Sequence, residues 1–77
     1  MTNDRLRIGV IGVGFGATVH VPGFLSEGWD VPVIWGRTAS RAREAAERLG
    51  VPEVAEDWRD LIARDDLDAV AVTTPPA

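Results

Sequence analysis

Short apolar runs alternate with amphipathic segments along the chain. Residues 6–12, LRIGVIG, form an apolar run rich in Ile and Val, which suits a parallel strand that is buried on both faces. The runs VPVIW at 31–35 and DAVAVT at 68–73 predict two more strands, and residues 53–55 predict a short one. We expect Pro32 only at the start or on the edge of its strand, because proline has no amide hydrogen to donate.

Two helices are predicted between the first three strands. The first covers residues 18–25 and should be disturbed near Pro22 and Gly23, because proline lacks the amide and clashes with the preceding turn. The second follows Thr38, whose hydroxyl is expected to accept from a first-turn amide. Gly50, with Pro52 beyond it, is the expected stop. The residues that should form its apolar face are Ala42, Ala45, Ala46 and Leu49.

A third helix is predicted before the last strand. Asp57 is its expected N-cap, and Trp58, Leu61 and Ile62 have the spacing of one apolar helix face. Strands that alternate with helices predict an α/β fold with a parallel sheet and right-handed βαβ crossovers. We expect a partial Rossmann fold with strand order 3-2-1-4, formed by residues 1–77 as one domain.

Composition excludes several kinds of chemistry. The chain has 77 residues, no Cys and one His, so disulfides, thiolate metal sites and His-cluster sites within one copy are excluded. All 8 basic residues are Arg, so a lysine base or Schiff base is impossible here, and Tyr is absent too. The net charge of −4 argues against nucleic-acid binding. No signal peptide or membrane anchor is predicted, so we expect a soluble cytoplasmic protein.

A glycine-rich turn follows the first strand. Its sequence is Gly12-Val13-Gly14-Phe15-Gly16-Ala17, which fits GxGxxG/A with Gly12, Gly14 and Ala17 at the key places. Gly12 permits the tight turn, Gly14 lets the backbone approach a pyrophosphate, and Ala17 keeps the helix close to the strand. The motif is weak alone but stands here between a strand and a helix, so we predict dinucleotide binding.

The glycine turn has two other interpretations. It could be a purely structural turn. It also reads as GxGxG, the turn of methyltransferases that bind S-adenosylmethionine, but that class usually has acidic residues where Val10 and Gly36 stand here.

The residues after the second strand bear on the choice of cofactor. An NAD site normally carries an acid about 20 residues after the turn, to hold the ribose 2′-hydroxyl. No acid lies between Val33 and Arg43. We therefore predict NADP, with NAD as the less favoured cofactor, because guanidinium groups bind a 2′-phosphate well. The alternative is that the arginines are only solvated. The predicted contacts are Gly36, Arg37, Thr38 and Arg41.

Taken together, these segments resemble the N-terminal region of the glucose–fructose oxidoreductase / inositol dehydrogenase / MocA family. The resemblance rests on RIGVIGVGFGATVHVPGF at 7–24, WGRTASRAREAAERLGV at 35–51 and DLDAVAVTTPPA at 66–77. It implies that the glycine turn holds the dinucleotide. It also implies that Thr74, Pro75 and Pro76 border the nicotinamide half of the site, although TPP could simply stop the strand.

The chain also departs from this family. Members are several times longer, with a catalytic lysine, usually in an EKP motif, and a substrate domain beyond the part that matches here. We therefore expect a truncated cofactor-binding region of an NADP-dependent oxidoreductase acting on a sugar or polyol, with no catalytic residue of its own. The alternative is a stand-alone, non-catalytic nucleotide-binding or interaction module that acts as an oligomer. The uncovered edge of the fourth strand predicts self-association, unless the remainder of a longer enzyme covers it.

Other polar clusters are expected to be structural. His20 falls in the first predicted helix, away from the predicted site of hydride transfer, and we expect it to be structural or solvated. The acidic residues between 53 and 60 predict a solvated turn with a helix cap rather than a metal site.

Overall fold

The computed structural model describes residues 6–12 and 15–73, and within them four strands and three helices alternate along the chain. The strands pair in the order β3-β2-β1-β4, and every pair is parallel. The α/β fold with the predicted strand order is therefore confirmed. The elements are β1 (Arg7–Ile11), α1 (Phe15–Ser26), β2 (Asp30–Trp35), α2 (Ala39–Leu49), β3 (Glu53–Val54), α3 (Trp58–Ile62) and β4 (Ala69–Val72).

The helices bury two separate apolar cores, one on each face of the sheet. The larger core joins α1 and α2 to the strands; its buried residues are Ile8, Val10, Val21, Val31, Ile34, Ala45, Ala46 and Val51. The smaller core lies under α3 and consists of Ile11, Val33 and Leu61. Alternate residues of β1 point to opposite faces, as a strand buried on both sides requires.

Pro32 lies inside β2, which is an inner strand, so the prediction that confined it to a start or edge was wrong. The register shows why the strand tolerates it. Arg7 pairs with Asp30 and Gly9 pairs with Val33, so β2 carries one extra residue at this point. A residue without an amide hydrogen fits where the ladder is already interrupted. The extra residue also explains why Val31 faces the larger core while Val33 faces the smaller one.

Helix α1 is longer than predicted and runs through Pro22 without a break. The proline removes one helical hydrogen bond, which usually costs about 3 kcal/mol in a helix interior. Burial on either side offsets that cost, because Val21 is fully buried and Phe24 packs against the same core. The expected disturbance near Pro22 and Gly23 is therefore wrong: tertiary packing overrides the local preference.

Helix α2 follows its predicted pattern except at its N-cap. Its three core-facing alanines are buried, and Gly50 ends the helix with φ 76° and its amide donating to the carbonyl of Ala46. Thr38 occupies the N-cap position, but its side chain makes no capping hydrogen bond, so that prediction was wrong. Thr38 is exposed, and water can solvate the free amides of the first turn instead.

Helix α3 is short and buries one residue. Asp57 caps it as predicted, since its Oδ1 accepts from the amide of Arg59 at 2.8 Å. Leu61 is fully buried, but Trp58 and Ile62 are 43% and 50% exposed, so the predicted three-residue apolar face is wrong. Leu61 packs so closely on β1 that a Cβ at Gly9 would lie 2.7 Å from its Cδ2. The spacing places the three side chains on one side of the helix, but of these only Leu61 belongs to the smaller core.

Charged side chains tie the segments together at the amino ends of the strands. Arg64, just after α3, donates to Asp66 at 2.7 and 2.9 Å and to Glu53 of β3 at 3.0 Å. The amide of Arg7 donates to Asp68 Oδ2 at 2.9 Å, which links the beginning of β1 to the segment before β4. These hydrogen bonds raise the pKa of Arg64, through Asp66 first and Glu53 second.

Candidate functional site

The glycine turn begins where the central strand ends. Gly12 has φ 111°, a conformation that favours glycine, and it directly follows β1. Its amide donates to the carbonyl of Trp35 at 2.6 Å, which fixes the turn to the end of β2. Phe15, Gly16 and Ala17 open α1. The chain therefore passes from strand to turn to helix as the motif requires; Val13 and Gly14 lie outside the described residues.

Thr73 contacts the same turn from the other side. It follows β4, its amide donates to the carbonyl of Ile11 at 2.8 Å, and its Oγ1 lies 3.2 Å from that carbonyl oxygen and 3.3 Å from that of Gly12. Sequence analysis missed this residue because the predicted strand order does not show which side chain at the end of the fourth strand reaches the turn. The predicted contacts Thr74, Pro75 and Pro76 lie outside the described residues.

A cleft of about 760 Å³ runs along α2 and β3 and reaches the carboxyl end of β2. Its apolar wall includes Trp35, Ala46 and Val54, and its polar rim includes charged side chains from α2 and from the segments after β2 and β3. Ligands of open parallel sheets bind at the carboxyl ends of the strands. The lining residues are Trp35, Gly36, Arg37, Ala39, Arg43, Ala46, Glu47, Val51, Pro52, Val54, Ala55 and Glu56.

Two guanidinium groups line this cleft without an ion-pair partner in the described part of the chain. Arg37 is the second residue after β2, and Arg43 lies one helical turn after Ala39 on the side of α2 that faces the cleft. The predicted contacts Thr38 and Arg41 do not line it. Positions 41 and 43 are about 200° apart around a helix, so α2 directs them to different sides. The four-residue spacing from Ala39 is the signal that could have found Arg43.

The cleft also contains acidic residues, and one of them follows the strand that pairs with β2. The residue that follows β2 is Gly36, which is buried and carries no side chain. Glu47 enters the cleft from the third turn of α2, and Glu56 enters it after β3. The segment that follows β2 thus brings a guanidinium, Arg37, and no carboxylate into the cleft.

Other candidate groups stay outside this site. His20 is exposed, and its ring stacks on Phe24 at a centroid distance of 6.2 Å. Among residues 6–12 and 15–73, no three His, Cys, Asp or Glu side chains are grouped as a metal ion would need. In the same ranges, no helix has both the length and the apolar character for crossing a bilayer.

Comparisons with known proteins identify relatives of nearly the whole chain. Residues 6–77 match the GFO_IDH_MocA family model, described as an oxidoreductase family with an NAD-binding Rossmann fold. Human glucose-fructose oxidoreductase domain-containing protein 2 is 33% identical over 69 residues, which is 90% of this chain and 18% of that protein. The chain thus spans about a fifth of the length of such relatives. These matches favour an oxidoreductase region over a stand-alone interaction module.

Two similar solved structures contain different dinucleotides. A mutant 3-ketoreductase from Actinomadura kijaniata, in complex with TDP-benzene and NADP, is 36% identical with a TM-score of 0.76; the match covers 87% of this chain and 21% of that one. Levoglucosan dehydrogenase in complex with NADH is 31% identical with a TM-score of 0.81, over 94% of this chain and 22% of that one.

Proposed function

Because this chain belongs to the GFO_IDH_MocA family of oxidoreductases, we propose that it is the cofactor-binding region of an NADP-dependent oxidoreductase. The observation that carries the choice of NADP is that two guanidinium groups, Arg37 and Arg43, have no ion-pair partner among the described residues and line a cleft that begins at the end of β2. The bound dinucleotide supplies or accepts a hydride. The residues of this chain bind and orient it.

The glycine turn is assigned to the pyrophosphate. The glycine turn leads to the amino end of α1, where free amides and the helix dipole favour negative charge. The residues assigned to the pyrophosphate are Gly12, Val13, Gly14, Phe15, Gly16 and Ala17. Gly12 is held at φ 111° by its bond to Trp35, so the turn starts from a fixed direction. Thr74, Pro75 and Pro76 are assigned to the nicotinamide half by family resemblance.

The 2′-phosphate is assigned to the cationic end of the cleft. Arg37 and Arg43 can each form charge-assisted hydrogen bonds with phosphate oxygens, and Gly36 leaves room beside them. Thr38 stays a predicted contact through its exposed hydroxyl. Arg41 stays a weaker one, because its side chain is not part of the cleft lining. Similar proteins bind either dinucleotide, since the 3-ketoreductase complex contains NADP and the levoglucosan dehydrogenase complex contains NADH.

The substrate proposed is a sugar or polyol, in line with the human relative's name. The chain has no Lys, so the acid–base group would come from a part of the enzyme beyond these residues. Among the described residues, β4 pairs only with β1, and Val72 is 67% exposed. We expect the rest of a longer protein to cover this edge. The mass of the native protein tests this, since a 77-residue product would leave the edge to a second copy.

Calorimetric titration of NADP and NAD tests the cofactor assignment. We expect Arg37→Asp to weaken NADP binding about ten- to a hundredfold, because it removes a charge-assisted contact and adds repulsion. NAD affinity should change by less than about threefold, since a lost contact to a neutral hydroxyl costs less. Arg48→Asp is the matched control: it makes the same charge change at an exposed position of α2 outside the cleft. Equal losses for both cofactors would refute the 2′-phosphate role of Arg37.

A further inference from the structure

We propose that Thr73 is a positioning residue for the dinucleotide, acting through the glycine turn rather than by touching the cofactor. The inference rests on the proposed function, because it assumes that the turn binds the pyrophosphate. The supporting observation is a side-chain contact that the backbone hydrogen bonds between the parallel strands do not require. Beyond the amide bond to Ile11, the Thr73 hydroxyl reaches the carbonyls of both Ile11 and Gly12.

Gly12 is held from both neighbouring strands. Its amide donates to Trp35 at the end of β2, and its carbonyl accepts from Thr73 at the end of β4. A glycine has more backbone freedom than any other residue, so the direction of the turn depends on such external contacts. Holding both polar groups of Gly12 restricts its φ and ψ together.

The carbonyl of Gly12 also sets the direction of the next amide. Carbonyl and amide belong to one planar, trans peptide unit, so fixing the C=O fixes the N–H on its opposite side. In a phosphate-binding turn the amide directions determine how well the anion is bound. The Thr73 hydroxyl thereby links the end of β4, next to Thr74, Pro75 and Pro76, to the pyrophosphate turn.

The size of the effect follows from the geometry. The hydroxyl has one hydrogen shared between two acceptors at 3.2 and 3.3 Å, both longer than an ideal O–H···O distance. We therefore expect Thr73→Val, which keeps the shape and removes the hydroxyl, to weaken NADP binding by about three- to tenfold. Thr73→Ser, which keeps the hydroxyl, should restore most of the affinity.

Two ligands separate positioning from general destabilisation. NADP contains the pyrophosphate, whereas adenosine 2′-phosphate contacts only the ribose-phosphate end. Positioning of the turn predicts that Thr73→Val weakens NADP but leaves adenosine 2′-phosphate within about twofold, since only the former needs the turn. Ser26→Ala is the matched control, because the Ser26 hydroxyl also donates to a backbone carbonyl, that of Gly23 at 3.1 Å, at the far end of α1. It should leave both affinities unchanged.

Each outcome decides the matter. Loss of NADP affinity in Thr73→Val, with rescue by Thr73→Ser and no change for adenosine 2′-phosphate, supports the proposal. Equal losses for both ligands, or no loss for NADP, overturn it while the proposed function stands. Failure of the unmodified protein to bind NADP or NAD overturns the proposed function and this inference together.

Discussion

Charged side chains at the two ends of the sheet differ in whether they form ion pairs. At the amino ends of the strands, Arg64 bonds to Asp66 and Glu53, and Asp68 accepts from the amide of Arg7. At the other end, Arg37 and Arg43 line a cleft without an ion-pair partner among the described residues. The charged groups named at the amino ends pair with each other, whereas Arg37 and Arg43 stay available to a ligand.

This difference separates stability from binding in physical terms. A guanidinium that already binds two carboxylates has few free donors for a phosphate, and breaking its ion pairs would lower the stability of the fold. An unpaired guanidinium beside a cleft contributes little to the fold and much to a ligand that brings its own charge. Substitutions at the two ends should therefore affect different measurements.

The largest effect is expected where binding depends on backbone conformation. Gly12→Ala forces a side chain onto a residue with φ 111°, which costs about 1–3 kcal/mol or rotates the turn away from its bonds to Trp35 and Thr73. We expect NADP affinity to fall at least about a hundredfold, because several phosphate contacts depend on the turn at once. Calorimetric titration measures this loss.

Gly50→Ala is the control at the opposite end. Gly50 has φ 76° and open space around its Cβ position, so alanine brings backbone strain without a steric clash. It should lower the free energy of unfolding by about 1 kcal/mol and leave cofactor affinity unchanged. If both glycine variants lost binding equally, the separation between the two ends would be wrong.

The sequence pattern was sufficient to predict the order and alternation of the strands and helices. Periodicity and the glycines at positions 12 and 50 predicted the strand order, the alternation and the end of α2. The pattern failed to predict local conformation where tertiary contacts determine it. The bulge at Pro32 depends on the register with β1, and the continuity of α1 depends on the burial of Val21.

The site shows the same limit. The glycine turn and Arg37 each belong to a short continuous segment whose pattern can be recognised in the sequence. Arg43 and Thr73 enter the site only through the angle of α2 and the register of β4 on β1. A linear pattern contains neither, and both Arg41 and Arg43 are exposed arginines on the same helix.

A smaller effect is expected from the paired charges. Arg64→Gln removes the ion pairs to Asp66 and Glu53, at 2.7 and 3.0 Å, from a side chain that is 24% exposed. We expect Tm to fall by about 2–5 °C, since pairs near the surface contribute modestly. NADP affinity should not change. Thermal unfolding with and without cofactor measures both effects, and a selective loss of affinity would contradict the assignment of this end to stability.

The smallest effect is expected from acid titration of the same network. Hydrogen bonds from Arg64 are the main cause that lowers the pKa of Asp66 from 3.8 to about 2. A carboxyl with a lowered pKa in the fold stabilises it fully above its unfolded value, and this contribution is lost as the pH falls through about 2. Asp66→Asn should therefore flatten the decline of Tm between about pH 4 and 2. Asp57, whose pKa is lowered by the Arg59 amide first and the Arg59 side chain second, should retain its share of that decline. An unchanged pH profile in Asp66→Asn would mean that the pair with Arg64 does not stabilise the fold.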